Sequence, residues 1–456
     1  MHPIGNKFFH LKWLILLIAI ATTWVNLNQE RWLSRSVIDH DVAEYYIYLP
    51  AAFIEHDLSL SFANKAGSQT EKIYWIKQTS EGRNVAKMTM GTAVSYLPFF
   101  VLAHGYALLT GGSASGFSEP YQFAIQFSSL FYFVLGVFFL WKFMRLFFSD
   151  TINWLAILCI TFGTNVFYYL TVGAGLSHPV GFFLYSSLLF YVFKWRDTKA
   201  FKQSILIGLI IGFMALVRPI NALASVLVFL LLLNDFFKNK FSLTGFSALV
   251  RHLFVMAVFA LLAMSPQLVY WKFATGHFFF NSYMEEGFYF SHPHLADGLF
   301  GFRKGWFIYT PLALIATAGL FFNKKEGRFS SGYILLFLLL YVYVCFSWWC
   351  WWYGGSFGQR AMIDVYPLLT PGLARLFKTS SEKSKVVFRA VAAATVLLVL
   401  LNLFQTMQAK YNIIHYDSMT REAYMDALFR TTKNPDREKF LKHPDYEKAL
   451  KGEHEE

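Results

Sequence analysis

About eleven stretches of this chain are apolar over the length a helix needs to cross a bilayer, and they limit the fold more than any other feature. They lie at about 10–28, 121–141, 151–170, 178–193, 204–217, 219–234, 252–274, 305–322, 331–350, 361–377 and 386–408. A backbone in hydrocarbon finds no water to bond, so each run is expected to be a helix. The fold class that follows is an all-α polytopic membrane protein. The charge content agrees: only 15% of the 456 residues are charged, against about 25% in ordinary soluble domains, and 56% are hydrophobic. So few charges cannot clothe a soluble surface.

The N-terminal segment has a basic start and a long apolar core with no clear small-residue cleavage site. It is expected to be an uncleaved signal anchor. A further run, 92–109, contains Pro98 and His104 and ends at Gly111-Gly112. Parity decides how to read it. If it does not cross and the N-terminus is cytoplasmic, the basic loops share one side. They hold Lys142 and Arg145; Lys194, Arg196, Lys199 and Lys202; Lys238, Lys240 and Arg251; Lys324, Lys325 and Arg328; and Arg375, Lys378, Lys383, Lys385 and Arg389. The opposite short loops hold only Arg218, Arg303, Lys304 and Arg360. That asymmetry is the positive-inside pattern. Segment 92–109 is therefore expected to be interfacial. It would lie within a first periplasmic loop of about 29–120, in a transmembrane domain of 1–408. Residues 409–456 form a short periplasmic tail, charged with both signs.

The net charge of +12 is mainly this topology signal. The positive residues are scattered between apolar runs and form no single patch, which excludes nucleic acid as a partner. Cys159, Cys345 and Cys350 have no metal-type spacing and build no disulfide framework. Gly298 to Gly305 is rich in glycine but matches no phosphate loop, since no strand precedes it and GxxxxGK[ST] is missing. A nucleotide-binding loop is not expected. Aromatic residues gather in the outer segments at Tyr45, Tyr46, Tyr48, Tyr74 and Trp75, Phe278 to Phe280, and Trp348 to Tyr353. An interfacial belt and the lining of an outward-facing cavity would both place them there.

The most informative segment is SVIDHDVAEYYIYLP, just after the first span. Asp39, Asp41 and Glu44 cluster there with Tyr45, Tyr46 and Tyr48. A carboxylate at the mouth of a membrane cavity serves as a general base or cation ligand, or merely as part of a solvated acidic loop. Asp41-Val42-Ala43-Glu44-Tyr45 resembles the D-x-x-x-Y pattern in the first outer loop of the glycosyltransferase C superfamily. Bacterial aminoarabinose transferases and protein O-mannosyltransferases are relatives. The resemblance implies that Asp41 is the catalytic base, with Asp39 in reserve. Lys87 to Gly91, followed by Pro98, resembles the start of that family's interfacial helix. Gly175-Leu176-Ser177-His178-Pro179 resembles its Ser-His form of the second outer loop. Leu216-Val217-Arg218-Pro219 resembles its Arg-Pro turn, and Trp352 to Arg360 its Gly-x-Arg loop. Trp351 to Gly355 also resembles the Trp-Trp-Asp-Tyr-Gly motif of oligosaccharyltransferases, but the acidic residue and a large soluble domain are lacking, and that match is discounted. The motifs are short, and their order and shared side carry the likeness.

An arginine near mid-membrane costs roughly 2.5–3.5 kcal/mol, so the few outward cations should meet something anionic. Lys87, His178, Arg218, Arg303, Lys304 and Arg360 are therefore candidates to bind a lipid phosphate. Snorkelling to headgroups or internal ion pairing is the simpler role for each. Glu44, Tyr45, Tyr46, Tyr283, Glu285 and Tyr353 are candidates to line the acceptor and its sugars. His292, His294 and Asp297 make a weak metal set. The Ser-His form lacks a second carboxylate, so no metal or cofactor is assigned and a divalent cation is left open.

The resemblance implies a multi-pass enzyme of the bacterial cytoplasmic membrane with its active site facing the periplasm. It would move a sugar from a polyprenyl-phosphate donor to a lipid, glycan or protein acceptor, with inversion, among membrane lipids. Two other readings fit the same composition. One is a transporter or flippase of a lipid-linked or anionic solute, though no internal repeat marks two halves. The other is an outward-facing polysaccharide polymerase or ligase.

Overall fold

The computed structural model describes residues 10–64, 74–238, 243–322 and 331–453. Residues 1–9, Lys240, Lys324, Lys325 and Arg328, used above for the charge pattern, lie outside the described residues, as does the Lys238 side chain. The described chain is helical almost throughout. In order it forms α1 (Leu11–Gln29), α2 (His40–Tyr46), α3 (Tyr48–Phe53), α4 (Gly91–Leu109), α5 (Glu119–Met144), α6 (Asp150–Phe162), α7 (Val166–Leu170), α8 (His178–Thr198), α9 (Phe201–Val217), α10 (Ala224–Lys238) and α11 (Leu243–Thr275). There follow α12 (Leu295–Phe300), α13 (Trp306–Tyr309), α14 (Pro311–Phe321), α15 (Ser331–Phe346), α16 (Tyr366–Lys383), α17 (Lys385–Lys410), α18 (Arg421–Ala427) and α19 (Tyr446–Leu450). One small antiparallel hairpin pairs Lys77 with Val85 and Gln78 with Asn84.

Five of these helices, α1, α4, α5, α11 and α17, are long and apolar enough to cross a membrane. Their outward faces carry large apolar side chains. On α11 these include Phe254, Leu261, Val269 and Phe273, and on α17 Val396, Leu397 and Leu400. Runs of this kind need lipid rather than water as solvent. The chain is an all-α polytopic membrane protein.

Every sequence-predicted span contains a helix, but several are interrupted. The run 151–170 breaks at Gly163 between α6 and α7, and the run 305–322 breaks between α13 and α14, where Pro311 opens the second helix. The run 331–350 leaves the helix after Phe346. The run 361–377 begins as a 3-10 turn, Arg360–Val365, before α16. The 19 residues of α4 would suffice to cross, so its interfacial placement rests on loop charge and not on helix length.

The chain divides into two compact units, each built from separated segments. The first comprises 1–24, 134–173 and 286–456; the second comprises 25–133 and 174–285. In the first unit α16 is the central helix, buried from Tyr366 to Arg375. It meets α14 through small residues: a side chain on Gly372 would strike the Ala316 carbonyl, and one on Gly319 the Gly372 carbonyl. Residues 409–453 fold onto this unit. Ile413, Ile414, Met419, Ala423 and Ala427 share an apolar cluster with Tyr309 and Phe357, and Ala449 packs with Trp351 and Trp352.

In the second unit α9 and α11 pair closely. Gly208 and Gly212, one turn apart, face the backbones of Met256 and Ala260. Gly91 likewise lets the start of α4 rest on the Leu216–Val217 backbone at the end of α9. The loop after α1 shares an apolar core with the start of α5 and the end of α11, through Tyr121, Ile125, Tyr270 and Trp271. Tyr46 packs edge-on to Phe100 and Phe117, at 5.9 and 5.7 Å between ring centres.

Candidate functional site

The second unit contains the acidic loop. Asp39 caps α2, accepting the His40 N–H at 2.8 Å and pairing with the His40 ring at 3.0 Å. A side chain so used fixes the helix start. Asp41, in the first turn of α2, is half-buried, and its charge acts on Glu44 and Tyr96. Glu44 lies one turn further and is fully buried. Its Oε1 accepts the Trp75 N–H, and its Oε2 is buried without a hydrogen-bond partner. Burial pushes its carboxyl up to about 7, against the Trp75 bond and the nearby charge of Lys87.

The tyrosines divide their work. Tyr46 is fully buried and donates to the Gly116 carbonyl at 2.6 Å. Tyr45 accepts the Ser177 hydroxyl at 3.3 Å. This bond ties α2 to the segment just before α8. There His178 opens α8, almost fully buried. Arg218 closes α9 with extended backbone, the conformation that the following Pro219 favours. Its Nη1 donates to His178 Nδ1 at 3.4 Å. A guanidinium has no acceptor, so this bond leaves the proton of a neutral His178 ring on Nε2.

Lys87 is held by its neighbours. Ser282 donates to its carbonyl at 2.6 Å, Tyr48 donates to the Met88 carbonyl at 2.7 Å, and the Met90 N–H reaches Gln267 at 2.8 Å. The Lys87 ammonium lies 5.5 Å from the Tyr283 ring centre, a cation–π distance. Glu285 is exposed at the end of this unit.

The remaining candidates belong to the first unit. Lys304 is buried and donates to the Ser356 carbonyl. Burial pushes its ammonium down to about 7; Asp417 opposes that shift, while Arg360 and Arg303 add to it. Asp417 is a residue the sequence reading missed. Burial alone would raise its carboxyl, but hydrogen bonds from His415 and Ser418 hold it below the usual range. Arg303 stacks 5.2 Å from the Trp352 ring centre and donates to the Lys442 carbonyl at 3.3 Å. Arg360 is half-buried behind a pinned loop. Asn165 donates to the Phe357 carbonyl at 3.2 Å, Tyr169 accepts the Phe357 N–H at 3.1 Å, and Gln359 donates to the Trp351 carbonyl at 3.0 Å. Tyr353 donates to the Cys345 carbonyl at 3.1 Å.

The structure thus brings together Asp41, Glu44, Tyr45, Lys87, His178, Arg218 and Tyr283 within one unit, and Arg303, Lys304, Tyr353 and Arg360 within the other. His294 reaches Asp297 at 3.4 Å, whereas His292 bonds Ser291 at 2.8 Å. Among the described residues no group of three or more His, Cys, Asp or Glu is arranged to hold a metal ion.

No protein-family model matches the chain, and no curated protein matches it. Among solved structures, the chain is similar to an oligosaccharyltransferase of Archaeoglobus fulgidus in the apo form, with 14% identity and a TM-score of 0.47. The likeness covers 95% of this chain and 59% of that one, so the chain spans under two thirds of its length.

Proposed function

We propose that this chain is a membrane glycosyltransferase of the C type. It moves a sugar from a polyprenyl-phosphate donor to an acceptor hydroxyl on the outer side of the bacterial cytoplasmic membrane. The observation that carries this reading is the Tyr45–Ser177 bond. It joins the helix of Asp41 to the residue beside His178, and His178 takes a hydrogen bond from Arg218. A half-buried carboxylate and a guanidinium are thereby set on elements that are bonded to each other.

In this reading Asp41 takes the proton of the acceptor hydroxyl as its oxygen attacks the anomeric carbon. The bond from that carbon to the phosphate oxygen breaks, and the lipid phosphate leaves with the electron pair. Arg218 and Lys87 hold the departing charge, and attack opposite the leaving group inverts the anomeric centre. Asp39, occupied as a helix cap, supports α2. Arg303, Lys304 and Arg360 belong to the first unit, and Arg360→Gln reads the effect of that residue on donor affinity.

The test uses purified protein in detergent with a radiolabelled polyprenyl-phosphate sugar and an extract of envelope lipids and glycans. Label should pass to an acceptor. Asp41→Asn should fold and insert but lose at least about 100-fold in transfer, the usual share of a general base. Near-wild-type transfer by that variant would remove Asp41 from the role. Passage of intact labelled lipid across proteoliposomes without transfer would favour a flippase.

A further inference from the structure

A cavity of about 430 Å³ opens in the second unit beside the segment leading into α2. Buried Ile38, exposed Arg35, Ser113, Ser115, Ser118, Phe117 and Gln122 line it. None of these carries a carboxylate.

Part of this polar wall is used internally. Ser118 donates to the Ser113 carbonyl at 2.7 Å. Gln122 accepts the Val37 and Ile38 N–H groups at 3.0 and 2.8 Å and donates to the Phe117 carbonyl at 3.3 Å. These bonds make the wall rigid. The Ser115 hydroxyl accepts the Phe117 N–H at 3.4 Å and keeps its own proton to donate. Arg35 adds a planar fork of five N–H donors. Donors therefore dominate what the cavity offers a ligand, and one of them is a permanent cation.

Such a wall suits an anion with several oxygens, and the guanidinium fork matches phosphate in two-point contact. The cavity is too large for phosphate alone and falls within the roughly 300–1,000 Å³ of organic-ligand sites. Half-buried Phe117 adds an aromatic residue to the lining, suited to a sugar face. The backbone that shapes this wall is fixed from behind, because Tyr46 donates to the Gly116 carbonyl at 2.6 Å.

We propose that this cavity binds a phosphorylated sugar, with the phosphate on Arg35 and Ser115 and the sugar ring against Phe117. This site is independent of the role of Asp41. Soluble sugar phosphates and phosphate-bearing lipid headgroups share the required chemistry.

The test is calorimetric titration of the full-length protein in phosphatidylcholine nanodiscs, using glucose 1-phosphate and glucose as probes. Glucose 1-phosphate should bind saturably and glucose should not. Arg35→Gln should weaken binding at least tenfold, and Ser115→Ala should weaken it less. Arg83→Gln removes an equal charge from the same loop and should change nothing. If nanodiscs containing phosphatidic acid abolish glucose 1-phosphate binding, the natural phosphate is lipid-borne; if they do not, it is soluble. Both results uphold the site. Absence of glucose 1-phosphate binding, or equal affinity in wild type, Arg35→Gln and Ser115→Ala, would overturn it. Ser115→Ala serves alone if Arg35→Gln fails to fold.

Discussion

Glu44 is a carboxyl group held where its ionisation is costly. Its folded pKa stands near 7 against an ordinary 4.5, so the folded state binds the proton more tightly than the unfolded chain does. Its contribution to stability is full below about pH 4.5 and is lost as pH rises through about 7. Glu44→Gln removes that loss. The variant should melt higher than wild type at pH 8, with the difference vanishing near pH 4.5. The shift corresponds to roughly 3 kcal/mol at most. Thermal unfolding followed by fluorescence-detected size exclusion across pH 4.5–8 reads it, and an unchanged pH profile would refute it. Asp417 behaves differently. It is buried, takes the Ser418 hydroxyl at 2.6 Å and lies near the buried Lys304. Asp417→Asn should lower stability by roughly 1–3 kcal/mol, read as a lower melting temperature with faster proteolysis of residues 409–453. The acidic cluster around Asp41 was legible in sequence because its pattern is short and local. Asp417 was not, because a charge inside a mixed-charge segment looks the same whether it is solvated or folded against an ammonium. Nor could spacing tell that Tyr46 and Glu44 are buried.

At the scale of elements, apolar run length located the helices, because a bilayer imposes a minimum on each. Their breaks were hidden, because packing decides them. A side chain at Gly163, between α6 and α7, would meet the Cys159 carbonyl and also Leu312 and Val399, neighbours remote in sequence. Close helix crossings were hidden in the same way. Gly208 and Gly212 read as ordinary small residues in an apolar run until α11 is seen against them. Gly212→Val would place methyl groups on the Ala260 carbonyl. It should cost at least the roughly 1–3 kcal/mol of an overpacked core, seen as loss of the monodisperse peak in mild detergent. Gly105→Val, in α4, has nothing within 4 Å of its added Cβ and should leave that peak intact. Equal behaviour of the two variants would show that the α9–α11 contact does not hold the unit together.

For the whole molecule, the question left by helix length is which segments cross. The α4 helix has the length and composition of a span, yet counting it would move every later basic loop to the other side. The structure also trims the charge argument at one point. Arg375 is buried in the first unit and donates to the Leu320 carbonyl at 3.5 Å, so it is no plain loop charge. Lys378, Lys383, Lys385 and Arg389 still follow it, and removing one residue leaves the asymmetry standing. The prediction is that α4 enters and leaves by the same face. Arg83 and Glu119 flank it, and both are exposed. The three native cysteines are all buried, so they provide a silent background. Arg83→Cys and Glu119→Cys should both react with a membrane-impermeant maleimide added to intact spheroplasts. Lys439→Cys in the tail should react too, since an even number of further crossings brings it to that face. Lys383→Cys should react only after the membrane is opened. Reaction of Arg83→Cys and Lys383→Cys, with Glu119→Cys and Lys439→Cys silent, would make α4 a full span, place Glu119 inside and reverse the sidedness of every later loop. The His178–Arg218 pair would then face the cytoplasm while the loop that carries Asp41 stayed outside; the Tyr45–Ser177 bond could not form, and one active site could not use both.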